Sequence, residues 1–134
     1  MFALAVLLWT QSPDSALVAT FTTLRGASAR FRQDIAQASP QLVLARAAQV
    51  HVACSGARLK ADSLAPHLAR NPTAQTELAA LRRALGACQR DWDTKGRRAN
   101  ADSLRAWGPF RLTELDRALR RYQRTIPPRG TPAK

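Results

Sequence analysis

Apolar residues recur along most of the chain at alternating spacings of four and three. Four such segments follow one another between residues 12 and 126, and in each the spacing puts the apolar positions on one helix face, here named the seam. The seam positions are Leu17, Phe21, Leu24, Phe31, Ile35 and Ala38, interrupted only at Ser28; Val43, Ala47, Val50, Cys54, Ala57, Ala61, Leu64 and Leu68; Ala74, Leu78, Leu81, Leu85, Cys88 and Trp92; and Leu112, Leu115, Leu119, Tyr122 and Ile126. No segment shows the strict alternation of a strand, so the pattern predicts an all-α fold.

Proline marks the start of the first three segments. Each begins with a residue that favours a helix N-cap, followed by a proline, which the first helical turn tolerates well. These pairs are Ser12-Pro13, Ser39-Pro40 and Asn71-Pro72. Pro66 is predicted to end the second helix and Lys95-Gly96 to close the third, since glycine readily takes the left-handed conformation after a helix.

The fourth segment is predicted to form two helices. Because Gly108-Pro109 interrupts it, we expect a short helix over 102–107 and a longer one that carries the rest of the seam. Short connections favour antiparallel neighbours. The predicted architecture is therefore an antiparallel up-down four-helix bundle with the last helix broken at Gly108-Pro109. It forms a single domain over residues 16–126, followed by a disordered tail at 127–134.

The N-terminus begins with nine apolar residues, MFALAVLLW, followed by polar TQSPDSA. Nine residues are too few to cross a bilayer but suit the apolar region of a secretory signal peptide. Residues 1–15 are therefore predicted to be a signal peptide, although no Lys or Arg precedes the run. The alternative is an apolar segment packed on the domain. A cleaved leader would make the protein periplasmic or secreted, and an uncleaved one would make it cytoplasmic.

The two cysteines, Cys54 and Cys88, lie on the seams of the second and third helices. They are nearly equidistant from the predicted turn at 68–71, so an antiparallel helix pair sets them at similar heights. In an oxidising compartment two facing cysteines are most simply a disulfide. Closing this loop would contribute about 3–4 kcal/mol in the chain-entropy account.

A metal site is a second use of the same region. His51 lies one helical turn from Cys54, and Asp91 lies one turn from Cys88. Together the four side chains would supply the N, S and O donors that zinc accepts. Two separate buried thiols are the third possibility. We favour the disulfide, so no metal or cofactor is predicted.

Residue patterns typical of catalysis are missing from the sequence. A cysteine nucleophile needs a base within hydrogen-bonding reach and a third group to orient that base, and only His51 stands near Cys54. Glycine-rich phosphate loops, nucleophile elbows and metalloprotease motifs are absent. The chain is therefore not predicted to be an enzyme or to have a small-molecule substrate.

Charge is the strongest indication of a partner. The 134 residues include 21 basic and nine acidic side chains, a formal net charge of +12, so an electrostatic partner should be anionic. Eighteen of the basic residues are Arg, which suits bidentate anion recognition but also follows from a GC-rich genome. The predicted binding residues are Arg117, Arg120, Arg121 and Arg124, opposite the seam of the last helix, with Arg97 and Arg98 before it. The alternative is an ordinary solvated face.

These features predict a non-enzymatic exported helical protein, held by a disulfide, whose basic face binds an acidic protein, an anionic envelope polymer or a membrane surface. Nucleic-acid binding is permitted by the charge but is less favoured, because few exposed aromatics are expected. The segment Leu112–Asp116, LTELD, resembles the LTxxQ element of periplasmic stress chaperones, with Asp116 in place of Gln and no second copy. The resemblance implies an envelope-stress chaperone or a metal-responsive helical protein as an alternative, and it assigns no family.

Overall fold

The computed structural model describes residues 12–36, 39–94 and 100–127. Within these ranges the chain forms four α-helices and no strand, which confirms the predicted all-α class. The helices are α1 (Pro13–Asp34), α2 (Pro40–Leu68), α3 (Pro72–Asp91) and α4 (Ala101–Gln123). Among the described residues, no helix joins the length and the apolar character that crossing a bilayer requires.

Side-chain caps fix where each helix begins. Ser12, Ser39 and Asn71 each accept a hydrogen bond from the backbone N–H three residues further on, and a proline follows each of them. The three predicted helix starts are therefore confirmed. Asn100 caps α4 in the same way but without a proline. An acceptor at this position satisfies one of the backbone N–H groups that the first turn leaves unpaired.

Each helix packs against its neighbours in chain order, and α4 returns against α1 to close the bundle. Across the diagonal, α2 also contacts α4, whereas within the described residues α1 and α3 make no such contact. The predicted seams form the core: almost all their described positions are buried, although Ile35, Leu64 and Ile126 are only partly so. Where Ser28 interrupts the predicted seam of α1, the neighbouring Ala27 is the buried residue.

The predicted break at Gly108-Pro109 is wrong, because α4 runs without interruption through both residues. Proline removes one backbone N–H and its ring crowds the preceding turn, which destabilises a helix interior. Here Leu104 and Leu112, on either side, are both buried in the same core. A continuous helix axis keeps the Leu104 and Leu112 side chains in the core. Tertiary packing therefore outweighs the tendency of Pro109 to break the helix.

Two predicted helix ends also differ from the structure. Pro66 does not end α2, which continues to Leu68, a fully buried side chain that anchors its last turn. The third helix ends at Asp91 instead of at Lys95-Gly96, because Trp92 takes a non-helical conformation and buries its indole in the core. Lys95 and Gly96 themselves lie outside the described residues.

The predicted terminal segments fall mostly outside the described residues, as does Ala38 of the first seam. Of the predicted leader, residues 1–11 are not described, and Pro13–Asp14 belong to the first turn of α1. The helical domain thus begins a few residues before the boundary predicted at residue 16. Of the predicted tail, only Pro127 is described.

Arg70 connects three parts of the bundle at the α2–α3 turn. Its guanidinium hydrogen bonds to the Asp14 carboxylate in α1 and donates to the Thr125 carbonyl oxygen after α4, at 3.1 Å. It also lies 6.0 Å from the ring centre of Tyr122, whose hydroxyl is buried and has no hydrogen-bond partner among the described residues. Burial raises the pKa of Tyr122, and the nearby Arg70 partly opposes that rise.

At the other end of the bundle, Gly108 gives a direct test of the packing. A Cβ at this position would lie 2.8 Å from the Phe31 ring and 3.0 Å from the Trp92 indole, both of which are buried. We therefore expect Gly108→Ala to lower the free energy of unfolding in urea by about 1–3 kcal/mol, since an overpacked core must shift. Gly26→Ala is the matched control, because no side chain and no backbone of another segment in the described part of the chain lies within 4 Å of its added Cβ.

In the control, the gain in helix propensity should raise the free energy of unfolding by about 0.5–1 kcal/mol. If Gly108→Ala were as stable as Gly26→Ala, the close approach of α4 to the two aromatic rings would be contradicted.

Candidate functional site

The predicted disulfide between Cys54 and Cys88 is present. It joins the middle of α2 to the last turns of α3, with the two Cα atoms 6.0 Å apart, and both side chains are buried. This separation lies within the usual range for a disulfide. The register follows from the turn between α2 and α3, which is nearly equidistant from the two cysteines.

The four candidate metal ligands do not form a metal cluster. His51 Nδ1 lies 2.7 Å from the Gln89 carbonyl oxygen, and the Asp91 carboxylate faces Arg111 Nε at 3.9 Å. Within the described ranges, no group of three or more His, Cys, Asp or Glu side chains could hold a metal ion. Sulfurs joined in a disulfide also cannot act as thiolate ligands for zinc.

The His51 imidazole instead hydrogen bonds to a backbone carbonyl oxygen at the end of α3. The Gln89 carbonyl would accept from the N–H of Asp93 in a longer helix, but that N–H bonds to the Arg90 carbonyl oxygen at 3.4 Å. The last turn of a helix leaves such carbonyls without a partner unless a side chain reaches them. His51 and the disulfide therefore hold α2 and α3 together at neighbouring positions.

The predicted arginines on α4 are all exposed. Arg120 forms an ion pair with Asp116 one turn earlier, at 2.7 Å. Arg117, Arg121 and Arg124 form no ion pair with a described residue, and they lie on the side of α4 away from its buried seam. The other two predicted binding residues, Arg97 and Arg98, lie outside the described residues.

Two arginines of α1 extend this surface, and neither was among the predicted binding residues. Arg25 contacts Asp116 at 3.2 Å and also hydrogen bonds to Gln123. Arg32 donates to Thr113 Oγ1 at 2.9 Å. Both reach this surface through the packing of α1 on α4, which the residue spacing within α1 does not reveal.

The basic face is defined here as Arg25 and Arg32 of α1 with Arg117, Arg120 and Arg121 of α4 and Arg124 at the C-cap of that helix. Asp116 lies between Arg25 and Arg120 and compensates part of their charge. Arg117, Arg121 and Arg124 keep their full charge towards solvent. Guanidinium groups donate hydrogen bonds in a planar fork that matches carboxylates and phosphates. The face is therefore suited to binding an anion by several contacts.

Phe110 lies in line with these arginines. Its side chain is 65% exposed and stands seven residues before Arg117, which places the two on one side of α4. Few exposed aromatics were expected from the sequence, so this position was missed. An exposed ring beside arginines is a feature that single-stranded nucleic acid can use by stacking.

Comparison of the chain with protein-family models, with curated proteins and with solved structures finds no match. The five-residue resemblance at Leu112–Asp116 gains no support from these comparisons. In the structure, Leu112 and Leu115 are buried, while Thr113 and Asp116 bond to arginines of α1. These residues hold α4 against α1.

Removing the disulfide tests its structural role. We expect the variant with both Cys54→Ala and Cys88→Ala to lose about 3–4 kcal/mol of unfolding free energy, because the unfolded chain regains the entropy of the open loop. Denaturant unfolding followed by helical circular dichroism measures the change. A reductant should destabilise the unaltered protein and leave the double variant unaffected. Equal stability of the unaltered protein and the double variant in the absence of reductant would show that the disulfide contributes nothing.

Proposed function

We propose that the protein is a non-enzymatic exported helical protein, periplasmic or secreted, whose basic face binds an acidic protein or a polymer rich in carboxylates. The observation that carries this proposal is the exposure of Arg117, Arg121 and Arg124, which form no ion pair with a described residue. An anion that meets these groups does not have to displace a carboxylate first. Binding there leaves the pairs that hold α1 to α4 in place.

The rigidity of the face supports the same proposal. Arg117, Arg121 and Arg124 project from a helix whose opposite side, at Leu115, Leu119 and Tyr122, is buried. Their spacing along one side of the helix is fixed by this packing, so binding has to order the arginine side chains but not the backbone that carries them. Preorganised charges lose less entropy when they meet a partner.

The disulfide and the first nine residues support export. Disulfides persist in oxidising compartments and are rare in the cytosol. Nine consecutive apolar residues at the N-terminus suit a signal peptide. The two features are independent, since one is a property of the folded core and the other of the chain before it.

The basic face can be tested against a carboxylate polymer. We expect Arg117→Gln with Arg121→Gln to weaken binding to poly-L-glutamate by about five- to thirtyfold, since each exposed charge pair contributes about 0.5–1 kcal/mol. The unaltered protein should also bind more weakly at high salt, which screens exposed charges. Fluorescence anisotropy of labelled polymer measures both effects.

The control removes the same charge from another helix. Arg83 and Arg90 of α3 are exposed and form no ion pair with a described residue, so Arg83→Gln with Arg90→Gln matches the first variant in net charge. Equal weakening by the two variants would contradict a localised face. If single-stranded DNA binds more tightly than poly-L-glutamate and Phe110→Ala weakens it, the acidic-protein proposal gives way to nucleic-acid binding.

Export can be tested by the mass of the protein after expression in a Gram-negative host. We expect the periplasmic fraction to contain a chain cut at or before Ser12, because Ser12 caps α1 and Asp14 binds Arg70. Its thiols should resist alkylation until a reductant is added. A full-length chain confined to the cytoplasm, with both thiols reactive, would contradict export.

A further inference from the structure

An open groove runs along the bundle between α1 and α2, whereas the basic face lies on α1 and α4. The volume of the groove is about 740 Å³, which is within the usual range of small-molecule sites. Small and apolar residues of α2 form most of its lining, namely Ala48, Val52, Ala53, Gly56 and Ala57. The groove therefore offers an apolar surface that no described residue covers.

The hydroxyl groups that α1 contributes to the lining are already hydrogen bonded. The Thr20 hydroxyl donates to the Leu17 carbonyl oxygen at 2.6 Å, and the Thr23 hydroxyl donates to the Ala19 carbonyl oxygen at 3.3 Å. Both donors are thus satisfied within their own helix. An apolar group can lie against them without leaving a hydrogen-bond donor unpaired.

Gly56 leaves the middle of the groove open. No side chain and no backbone of another segment in the described part of the chain lies within 4 Å of a Cβ added there, so close packing does not require a glycine. Glycine in a helix interior destabilises the helix. The space beside Gly56 is therefore free for a ligand.

The two charged residues that line the groove are both cations, Arg30 and Lys60, and neither forms an ion pair with a described residue. α1 and α2 pack antiparallel, as the ion pair between Asp34 and Arg46 at 2.6 Å shows, so Arg30 lies near the Ala48 end and Lys60 at the other end. Twelve residues separate Ala48 from Lys60, which corresponds to about 18 Å of helix rise. The groove is thus an apolar strip with one cation at each end.

The end of the groove at Arg30 has a second hydrogen-bond donor. Gln49 lines the groove next to Ala48, and its side-chain oxygen accepts from Arg46 at 3.2 Å. Its amide nitrogen has no hydrogen-bond partner in the described part of the chain. A guanidinium and an amide N–H₂ suit a carboxylate, which accepts hydrogen bonds from both. At the other end, the aliphatic stem of Lys60 can cover apolar surface while its ammonium stays in water.

We propose that the groove binds one long-chain fatty acid, with the carboxylate at Arg30 and Gln49 and the acyl chain extending past Gly56 towards Lys60. An extended acyl chain advances about 1.25 Å per carbon–carbon bond, from a bond length of about 1.5 Å and a bond angle of about 111°. The length of about 18 Å therefore matches an acid of about fourteen to sixteen carbons.

The charge pattern favours a single free acid over an anionic bilayer. A bilayer presents many headgroups on a flat surface, and the protein offers more unpaired cations to such a surface at Arg117, Arg121 and Arg124. The groove is concave and carries its charges only at its two ends. One carboxylate attached to one acyl chain is complementary to this arrangement.

The acyl-chain length that binds best tests the proposal. Equilibrium dialysis of radiolabelled acids from octanoate to octadecanoate, each below the concentration at which it aggregates, gives the dissociation constants. A fully buried methylene contributes about fourfold in affinity. Because the groove is open on one side, we expect about twofold per methylene up to tetradecanoate or hexadecanoate, and no further gain for longer chains.

Gly56→Leu tests whether the acyl chain passes the middle of the groove. The added side chain would displace about three or four methylenes, so tetradecanoate should bind at least about tenfold more weakly. Since nothing packs against this position and leucine favours helices, the helical circular dichroism should be unchanged. Ala79→Leu is the matched control, because it adds an exposed leucine to α3, outside the groove.

Removing either cation tests the direction of the bound acid. We expect Arg30→Gln to weaken dodecanoate binding about two- to fivefold, which is the contribution of one exposed ion pair, and Lys60→Gln to weaken it less than about twofold. Neither variant should weaken the binding of uncharged dodecan-1-ol. Arg117→Gln with Arg121→Gln should bind dodecanoate like the unaltered chain, so this test does not depend on the proposed binding of an acidic partner.

Four results would overturn the proposal. Equal binding of tetradecanoate by Gly56→Leu and Ala79→Leu would place the acid outside the groove. A steady rise in affinity beyond hexadecanoate would show adsorption that the groove does not limit. A larger loss with Lys60→Gln than with Arg30→Gln would contradict the position of the carboxylate. Binding to vesicles of anionic phospholipid without binding of any monomeric acid would identify a membrane contact instead.

Discussion

The packing of three helices on α2 is the constraint on which the rest of the structure depends. α2 contacts α1, α3 and α4, and most of its buried side chains are small. Ala47, Ala53, Ala57 and Ala61 leave room for large side chains from the neighbours, among them Phe21, Phe31, Leu81, Leu85 and Leu119. Small residues on a central helix and large ones around it fill the core closely. The disulfide fixes the height of α3 on the same helix, and so fixes which large side chains meet which alanines.

The contact between α1 and α4 is of another kind, because arginine side chains form much of it. Arg25 and Arg32 of α1 reach Asp116, Gln123 and Thr113 of α4 through hydrogen bonds. Long arginine side chains can cover apolar surface and keep the guanidinium in water. The arginines that close the bundle on this side therefore also place positive charge at its surface. The basic face is thus partly structural, and only its outer arginines are free of this role.

Much of the fold could be predicted from the sequence, because the seams and the caps at Ser12, Ser39 and Asn71 are local signals. The disulfide followed from the register of one helix pair. The errors arose where tertiary packing overrides a local preference, as at Pro66 and Pro109, where buried residues beyond the proline keep the helix continuous. The site was predicted only in part. Arg25 and Arg32 belong to it through the pairing of the first and last helices, which residue spacing along one helix does not reveal.

The small contribution of each exposed ion pair has a consequence for the partner proposed for the basic face. Arg117, Arg121 and Arg124 are exposed and form no ion pair with a described residue. An exposed ion pair contributes at most about 1 kcal/mol, so a single carboxylate would be held weakly. The proposed function therefore requires a partner that offers several carboxylates at once, because contacts that form together on one linked partner raise the apparent affinity. An extended acidic polymer meets this requirement, whereas a small monovalent anion does not.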